Sequence, residues 1–245
     1  MARGKRLIAA GAAAFIAALI LAFPAHIAYA WFAPAELRLS GISGSAWNGQ
    51  AMEGEVAGFY FRDLSWRFLP LSLLTLEAGY TVAATVPAGF LQADIALGPG
   101  GGVNIGNLTA AVSIASFDAL LPLNGIEGDV NLQFDRLVLD NGYPTEADGT
   151  LGLSSLVVRA LSPAALGDYR AVLQTTDGGI TGNVEDVSGV LDLAGTLAVS
   201  RDRTYSFVGQ VAAEANAPDT VIQQLQFLGS PDEQGQREFR FEGRL

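Results

Sequence analysis

The sequence predicts an all-β protein, a large curved antiparallel sheet with two short helices, preceded by one N-terminal transmembrane helix. Past residue 36, long stretches alternate apolar and polar residues, as in Val130-Asn131-Leu132-Gln133-Phe134, which is the period of a half-buried strand. Glycine supplies 29 of the 245 residues, a content that disfavours long helices and suits tight turns. One long apolar run stands near the N terminus, before the first acidic residue, Glu36.

The apolar run predicts a membrane helix over residues 7–27. Sixteen residues from Leu7 to Ala22 are apolar or glycine, and extension to Ile27 brings a helix to about the 30 Å thickness of a hydrocarbon core. Pro24 is expected to kink its last turns. Tyr29, Trp31 and Phe32 then fall where an aromatic belt at the outer interface is expected.

The distribution of charge predicts the orientation of the chain in the membrane. Arg3, Lys5 and Arg6 precede the apolar run, so the N terminus is expected in the cytoplasm and the rest in the periplasm. The expected division is a basic tail at 1–6, the membrane helix at 7–27, an interfacial connector at 28–38 and a periplasmic β domain at 39–245. A cleaved signal peptide ending near Ala30 is the alternative, and the apolar residues that continue beyond Ala30 favour the uncleaved anchor.

Turn sequences divide the β domain into many short strands. Asn141-Gly142, Asp148-Gly149 and Asp177-Gly178-Gly179 contain the residues that accept positive φ in hairpins. We expect ten to thirteen strands in meander order. Because a sheet of that size must curl or split, a half-barrel or β-groove is the first choice and a sandwich the second.

Two short helices interrupt the predicted strands. The first is expected from Ser116 to Leu121, with Ser116 as N-cap and Pro122 ending it. The second is expected from Pro218 to Leu228, with proline at its start and Gly229 just past its end. In the second helix, helical spacing directs four apolar side chains towards the sheet: Val221, Ile222, Leu225 and Leu228.

Composition argues against several classes of function. From Trp31 onward, 11 arginines face 25 acidic residues, a net charge of −14, which disfavours nucleic acid as a partner. The chain has no cysteine, and its one histidine, His26, lies in the apolar run, so no periplasmic catalytic triad can form. The carboxylates follow neither metal-ligand spacing nor a paired arrangement. We therefore expect no enzyme, no cofactor and no metal.

The most distinctive local pattern is the glycine-rich segment at 39–51, L-S-G-I-S-G-S-A-W-N-G-Q-A. One interpretation is a tight turn into a strand with its tryptophan as a core plug, and the other is a partner-docking surface. A second large anchor follows at alternating spacing in D-L-S-W-R-F-L-P-L at 63–71. The candidate residues for docking or structure are Ser40, Gly41, Gly44, Trp47, Gly49 and Trp66.

These two segments resemble protein N of the bacterial type II secretion system. Further blocks carry the resemblance in the family's order along nearly the whole chain: L-P-L-N-G-I-E-G-D-V at 121–130, L-S-P-A-A-L-G-D-Y at 161–169, G-V-L-D-L-A-G-T-L at 189–197, and L-Q-F-L-G-S-P-D-E-Q-G-Q-R-E-F-R-F-E-G-R-L at 225–245. The family has no catalytic residues to carry over.

The resemblance implies an accessory subunit of the inner-membrane secretion platform that helps export folded proteins from the periplasm across the outer membrane. It would work by protein–protein binding through sheet edges or a sheet face, with other platform subunits as partners. The alternative function is a periplasmic lipid-binding or lipid-transfer β-groove of AsmA-like type. An uncovered apolar groove would favour lipid, whereas a filled core would favour an interaction scaffold.

Overall fold

The computed structural model describes residues 2–98, 100–117 and 125–244. These residues form one antiparallel sheet and a few short helices, which confirms the predicted all-β class. The strands are β1 Leu37–Ser40, β2 Ser43–Gly44, β3 Asn48–Val56, β4 Phe59–Leu69, β5 Ala78–Val86, β6 Gly89–Leu97, β7 Val103–Ser113, β8 Ile126–Asp140, β9 Tyr143–Val158, β10 Gly167–Thr176, β11 Gly179–Gly189, β12 Leu191–Ser200, β13 Thr204–Ala213 and β14 Arg237–Arg244.

The strands follow one another across the sheet in chain order. Each strand from β3 to β14 pairs with the next, β1 pairs with β3, and the two-residue β2 pairs with β3 beside the main path. The meander order was predicted, and the count of fourteen exceeds the expected ten to thirteen. A single open sheet is present in the described residues, so the second-choice sandwich of two sheets is wrong.

The pairing register gives the sheet one apolar and one polar face. Residues that lie opposite one another form a row of apolar side chains and glycines from β5 to β14: Ala84, Leu91, Ala110, Leu132, Leu151, Ala171, Val184, Gly195, Gly209 and Phe239. The next row on the other face is mainly polar: Gln92, Thr109, Gln133, Thr150, Val172, Asn183, Thr196, Val208 and Arg240. Strand periodicity alone produces this division.

The middle of the apolar face is filled by its own side chains. Ala93, Leu108 and Phe134 pack together there and are less than a tenth exposed. Towards β14, the rings of Phe207 and Phe239 lie over Gly209, where an added Cβ would stand 3.0 Å from each ring. Aromatic rings that cover strand glycines in this way shield the backbone from water.

Short helical segments cover two parts of the apolar face. The C-terminal helix α3 spans Asp219–Leu225 and continues as a 3-10 helix to Leu228. A helix was predicted for this segment. Val221 and Leu225 are buried against the sheet, whereas Ile222 and Leu228 are more than a third exposed, so only half of the predicted contact face packs. The other cover is a 3-10 helix over Ile114–Phe117. The predicted helix from Ser116 to Leu121 continues into 118–124, which lie outside the described residues.

The N-terminal segment is two helices, and the prediction of one helix over 7–27 is wrong in its bounds. Helix α1 spans Ala2–Leu21 and α2 spans Ala25–Phe32. Pro24 lies between them in an extended conformation, because proline lacks the amide that a continuous helix needs and disfavours helix at the residue before it. Within the described residues, no helix combines the length and apolarity required to cross a membrane. The expected connector at 28–38 contains the end of α2 and the start of β1.

The hairpin predictions divide according to where each turn sequence lies. Asn141 and Gly142 both have positive φ between β8 and β9, and Asp177-Gly178 joins β10 to β11, as predicted. Asp148-Gly149 does not turn, because it lies inside β9. Gly149 is required there by close approach, since an added Cβ would meet the β8 backbone 2.6 Å from the Cα of Phe134.

Candidate functional site at the junction of helices and sheet

The glycine-rich segment forms a tight turn beside the first strands of the sheet. Gly41 and Gly44 both have positive φ, at 65° and 88°, a region that favours glycine. A Cβ at Gly44 would lie 2.6 Å from the backbone oxygen of Asn48, and one at Gly41 would lie 2.7 Å from Met52 Cγ. The predicted turn into a strand is therefore present, and both glycines are needed for its path.

Trp47 joins this turn to the end of α1. Its indole Nε1 donates a hydrogen bond to the carbonyl oxygen of Ile20 at 2.7 Å, and its ring packs edge-on against Phe68 of β4, with the centroids 4.9 Å apart. The backbone completes the contact, because the amide of Ala46 donates to the carbonyl oxygen of Phe23 at 2.8 Å. We call this set of contacts, from residues 20–24 to residues 45–48 and Phe68, the helix–sheet joint.

Trp66 holds the same turn from the opposite strand. Its Nε1 donates to the carbonyl oxygen of Ser45 at 3.3 Å. Gly49 lies opposite Trp66 in the β3–β4 ladder, and an added Cβ at Gly49 would collide with the Trp66 ring and lie 2.7 Å from the backbone oxygen of Ser43. Ser40 lies nearby at the exposed end of β1, opposite Glu53. The structure thus brings five of the six candidate residues around one turn and places Ser40 at its margin.

Tyr29 of α2 is a residue of this region that the sequence prediction assigned to an interfacial belt. Its hydroxyl donates to the carbonyl oxygen of Leu37 at 3.0 Å and accepts from the amide of Leu39 at 3.1 Å. It therefore ties α2 to β1. Phe68 and Ser45 were also missed, and only the register of β4 against β3 could have revealed their contacts.

Several acidic side chains of the sheet complete its hydrogen bonding. Asp148 accepts from the amide and hydroxyl of Thr175 at 2.8 and 3.2 Å, and Asp186 accepts from the amide of Leu193 at 2.8 Å. Burial, followed by the nearby Asp186 and Asp168 carboxylates, raises the pKa of Tyr169. Within the described ranges, no three His, Asp or Glu side chains stand close enough to hold a metal ion.

The two outer strands leave their second edges unpaired in the described sheet. β1 is four residues long, whereas β14 is eight and carries the exposed Phe241 on the apolar face. An unpaired strand edge offers a row of backbone donors and acceptors to another chain. Arg237, Arg240 and Glu242 place charge along this edge, which discourages non-specific pairing.

Comparison with models of protein families assigns the chain to a known family. The family model described as type II secretion system (T2SS), protein N, matches residues 35–240. The chain belongs to this family. The matched range contains β1 to β13, the first half of β14, the six candidate residues and α3, whereas α1 and α2 lie before it.

Three relatives carry the name of this family. Proteins named type II secretion system protein N from Aeromonas hydrophila and Vibrio cholerae are each 26% identical to it, over 86% of this chain and 86% of theirs. The protein of the same name from Pectobacterium carotovorum is 29% identical over 49% of each chain. No solved structure matches the chain.

Proposed function

We propose that the chain is an accessory inner-membrane component of the type II secretion system that works by protein–protein binding in the export of folded proteins. Its partners would be other subunits of the inner-membrane platform. In this proposal the protein performs no catalysis, and its contribution is a large surface on which other subunits assemble. Membership of the family supports the assignment to the type II secretion system, and the open single-layer sheet supports action by binding.

The amount of exposed surface is the observation that carries the proposal. The chain exposes 15218 Å², whereas a compact monomer of 25.6 kDa exposes about 10,000 Å². The single layer of strands and the exposed N-terminal helices both contribute to the difference, and one long edge of the sheet is unpaired within the described residues. Such a surface is suited to binding, since it offers edges and faces without a deep cleft.

The proposed location is the inner membrane, with the N terminus in the cytoplasm and the sheet in the periplasm. Three cations precede the apolar segment and every acidic residue follows it, which is the charge asymmetry of that orientation. Intact-mass measurement of the protein extracted from membranes tests the uncleaved anchor. A mature species that begins at Trp31 would contradict it.

Co-purification tests the mode of action directly. The full-length chain, extracted in mild detergent from cells that contain the whole secretion system, is expected to bring platform subunits with it. A matched preparation from cells without the other secretion genes serves as the control. Isolation without any platform subunit from the secreting cells would contradict the proposal.

Lipid handling is the second candidate function, and the unbroken apolar row from β5 to β14 favours it. That row is covered only in part by α3 and the 3-10 helix at Ile114–Phe117. The self-filled centre around Phe134 favours the scaffold instead. Lipid mass spectrometry on the purified full-length chain distinguishes the two, because a lipid carrier should retain about one phospholipid or lipopolysaccharide per chain after detergent exchange.

A further inference from the structure

We infer that the loop between β4 and β5 is a second membrane contact, which inserts leucine side chains into the bilayer interface beside α1. The segment, residues 70–76, is called the leucine loop below. Four of its seven residues are leucines, and all four are exposed, by 78% for Leu71, 57% for Leu73, 82% for Leu74 and 80% for Leu76. The inference rests on the proposed attachment to the inner membrane and adds a contact to it.

Hydrogen bonds within the leucine loop and to β4 and β5 satisfy its two hydroxyl groups. The Ser72 hydroxyl donates to the carbonyl oxygen of Leu69 at 2.7 Å and accepts from the amide of Gly79 at 2.8 Å. The Thr75 hydroxyl donates to the carbonyl oxygen of Ser72 at 2.8 Å. Surface loops usually expose mainly polar side chains, whereas this loop exposes four leucines beside the single polar side chain of Thr75.

The backbone conformation of Leu76 is a second, independent observation in favour of an apolar contact for the exposed leucines. It ends the 3-10 turn with φ at 61°, a region that costs energy for any residue with a Cβ and that glycine or asparagine usually occupies. An exposed leucine at this position is unfavourable in water for both its backbone and its side chain. Contact with an apolar medium removes the second of these penalties.

The position of the loop beside α1 identifies the medium. The loop begins two residues after Phe68, whose ring packs on Trp47, and Trp47 in turn bonds to Ile20 at the end of α1. Three residues of extended chain reach at most about 10 Å, so Leu71 lies close to the joint. α1 also exposes apolar side chains, including Phe15, Ile16 and Leu19, so exposed apolar residues lie on both sides of the joint.

Charge and the neighbouring turns agree with a bilayer as the occupant. Residues 68–76 contain no charged side chain. The other turns at this end of the sheet are glycine-rich or polar, as in Asn141-Gly142, Asp177-Gly178 and Arg201-Asp202-Arg203. Only the turn nearest the helix has leucines, as expected if the sheet approaches the membrane at that corner.

Fluorescence labelling of the full-length chain tests the inference, and the absence of natural cysteine makes single labels unambiguous. Variants L74C in the loop, I16C in α1 and N141C in a more distant turn are labelled with nitrobenzoxadiazole. They are reconstituted in vesicles of phosphatidylethanolamine and phosphatidylglycerol. Quenching is then compared between doxyl-labelled phospholipid in the bilayer and iodide in the water.

The expected result is that doxyl lipid quenches the Leu74 label at least about twofold more than the Asn141 label, as for a group about 5–10 Å inside the interface. Adding L76N to L74C should lower this quenching while leaving the thermal midpoint unchanged or higher, because asparagine tolerates positive φ.

Three outcomes would overturn the inference. If the Ile16 label reports lipid and the Leu74 label reports water, the loop contact is wrong and the anchor stands. If both report water, the membrane attachment fails along with the loop. If neither quencher reaches Leu74, a protein or a second copy of the chain covers the loop instead of lipid.

Discussion

Gly49 and Gly152 are both strand glycines, but they differ in how much space a side chain would have. At Gly49, an added Cβ would meet the Trp66 ring and the Ser43 backbone, whereas at Gly152 the nearest atom, Asn131 Cβ, would be 3.7 Å away. Gly49→Ala is therefore expected to lower the free energy of unfolding by about 1–3 kcal/mol. Gly152→Ala, the matched control in β9, should leave it unchanged or raise it slightly. Denaturant unfolding of the full-length variants measures both, and equal effects would refute the steric argument.

Removing the hydroxyl group of Tyr169 should stabilise the folded protein. Its hydroxyl is buried without a hydrogen-bond partner among the described residues, so Tyr169→Phe is expected to raise the free energy of unfolding by up to about 1 kcal/mol. Tyr29→Phe is the control, since it removes two hydrogen bonds and should be destabilising. A clear loss of stability in Tyr169→Phe would contradict the assignment.

The pH dependence of stability provides a second test at Tyr169. Burial raises its pKa above the ordinary value of 10.0, so the folded state binds the phenolic proton more tightly than the unfolded chain does. The stability that the folded state gains by holding this proton more tightly is fully present below pH 10. It is lost as the pH rises through the higher pKa of the folded state. In Tyr169→Phe, the decline of stability above pH 10 should be smaller than in the parent chain.

Single residues also show what the sequence could and could not predict. The glycines at 41 and 44 were correctly placed in a turn, because local backbone geometry determines them. Asp148-Gly149 has the same composition as a hairpin turn, yet it lies inside β9, where Asp148 bonds to Thr175 and Gly149 makes room for β8. Those partners are distant in sequence, so no local pattern contains them.

At the scale of elements, α3 depends on which of its apolar residues reach the sheet. Leu225 is buried among Leu166, Leu191 and Val211, whereas Ile222 is 39% exposed. Leu225→Ala should lower the free energy of unfolding by about 2–4 kcal/mol, and Ile222→Ala by less than about 1 kcal/mol. Measured by denaturant unfolding, similar losses in the two variants would mean that α3 packs differently from the structure.

The two tryptophans at the helix–sheet joint make separable contributions. Trp47→Phe keeps an aromatic ring beside Phe68 but removes the hydrogen bond to Ile20, so the end of α1 should separate more often from the turn. Trp66→Phe removes only the bond from β4 to the turn at Ser45 and no bond to α1. In detergent, hydrogen exchange of the amides at 20–23 should therefore quicken in Trp47→Phe and stay unchanged in Trp66→Phe. The reverse pattern would exclude the joint as described.

The N-terminal helices show how far element prediction reaches. The sequence showed the apolar run and the cations before it, and Pro24 was predicted to kink the helix. The break into α1 and α2 was missed because the backbone groups around Phe23 and Pro24 bond to the turn at 45–46. That compensation comes from the sheet and has no signal in the helix sequence.

At the scale of the whole molecule, strand periodicity predicted the class, the meander and the two faces of the sheet. The rows of opposite residues confirm that alternation continues in register through successive strands. Periodicity could not distinguish one open sheet from two packed sheets, because both present one apolar face per strand. Nor could it show that Phe207 and Phe239 cover the glycines beside them.

The unpaired long edge makes β14 the position where binding within a secretion complex is easiest to detect. Phe241 is 59% exposed on that edge. Val172, in the middle of the polar face, is 37% exposed and provides a matched position away from any edge. A photo-crosslinking amino acid at each site reports which molecules lie within reach of it.

Photo-crosslinking from Phe241 in living, secreting cells tests the binding role most directly. The full-length chain should form covalent adducts with inner-membrane platform subunits from Phe241, with fewer from Val172, and these adducts should disappear in cells that lack the other secretion genes. Adducts only with phospholipid or lipopolysaccharide, or no protein adduct from Phe241 in secreting cells, would contradict a scaffold that binds through its sheet.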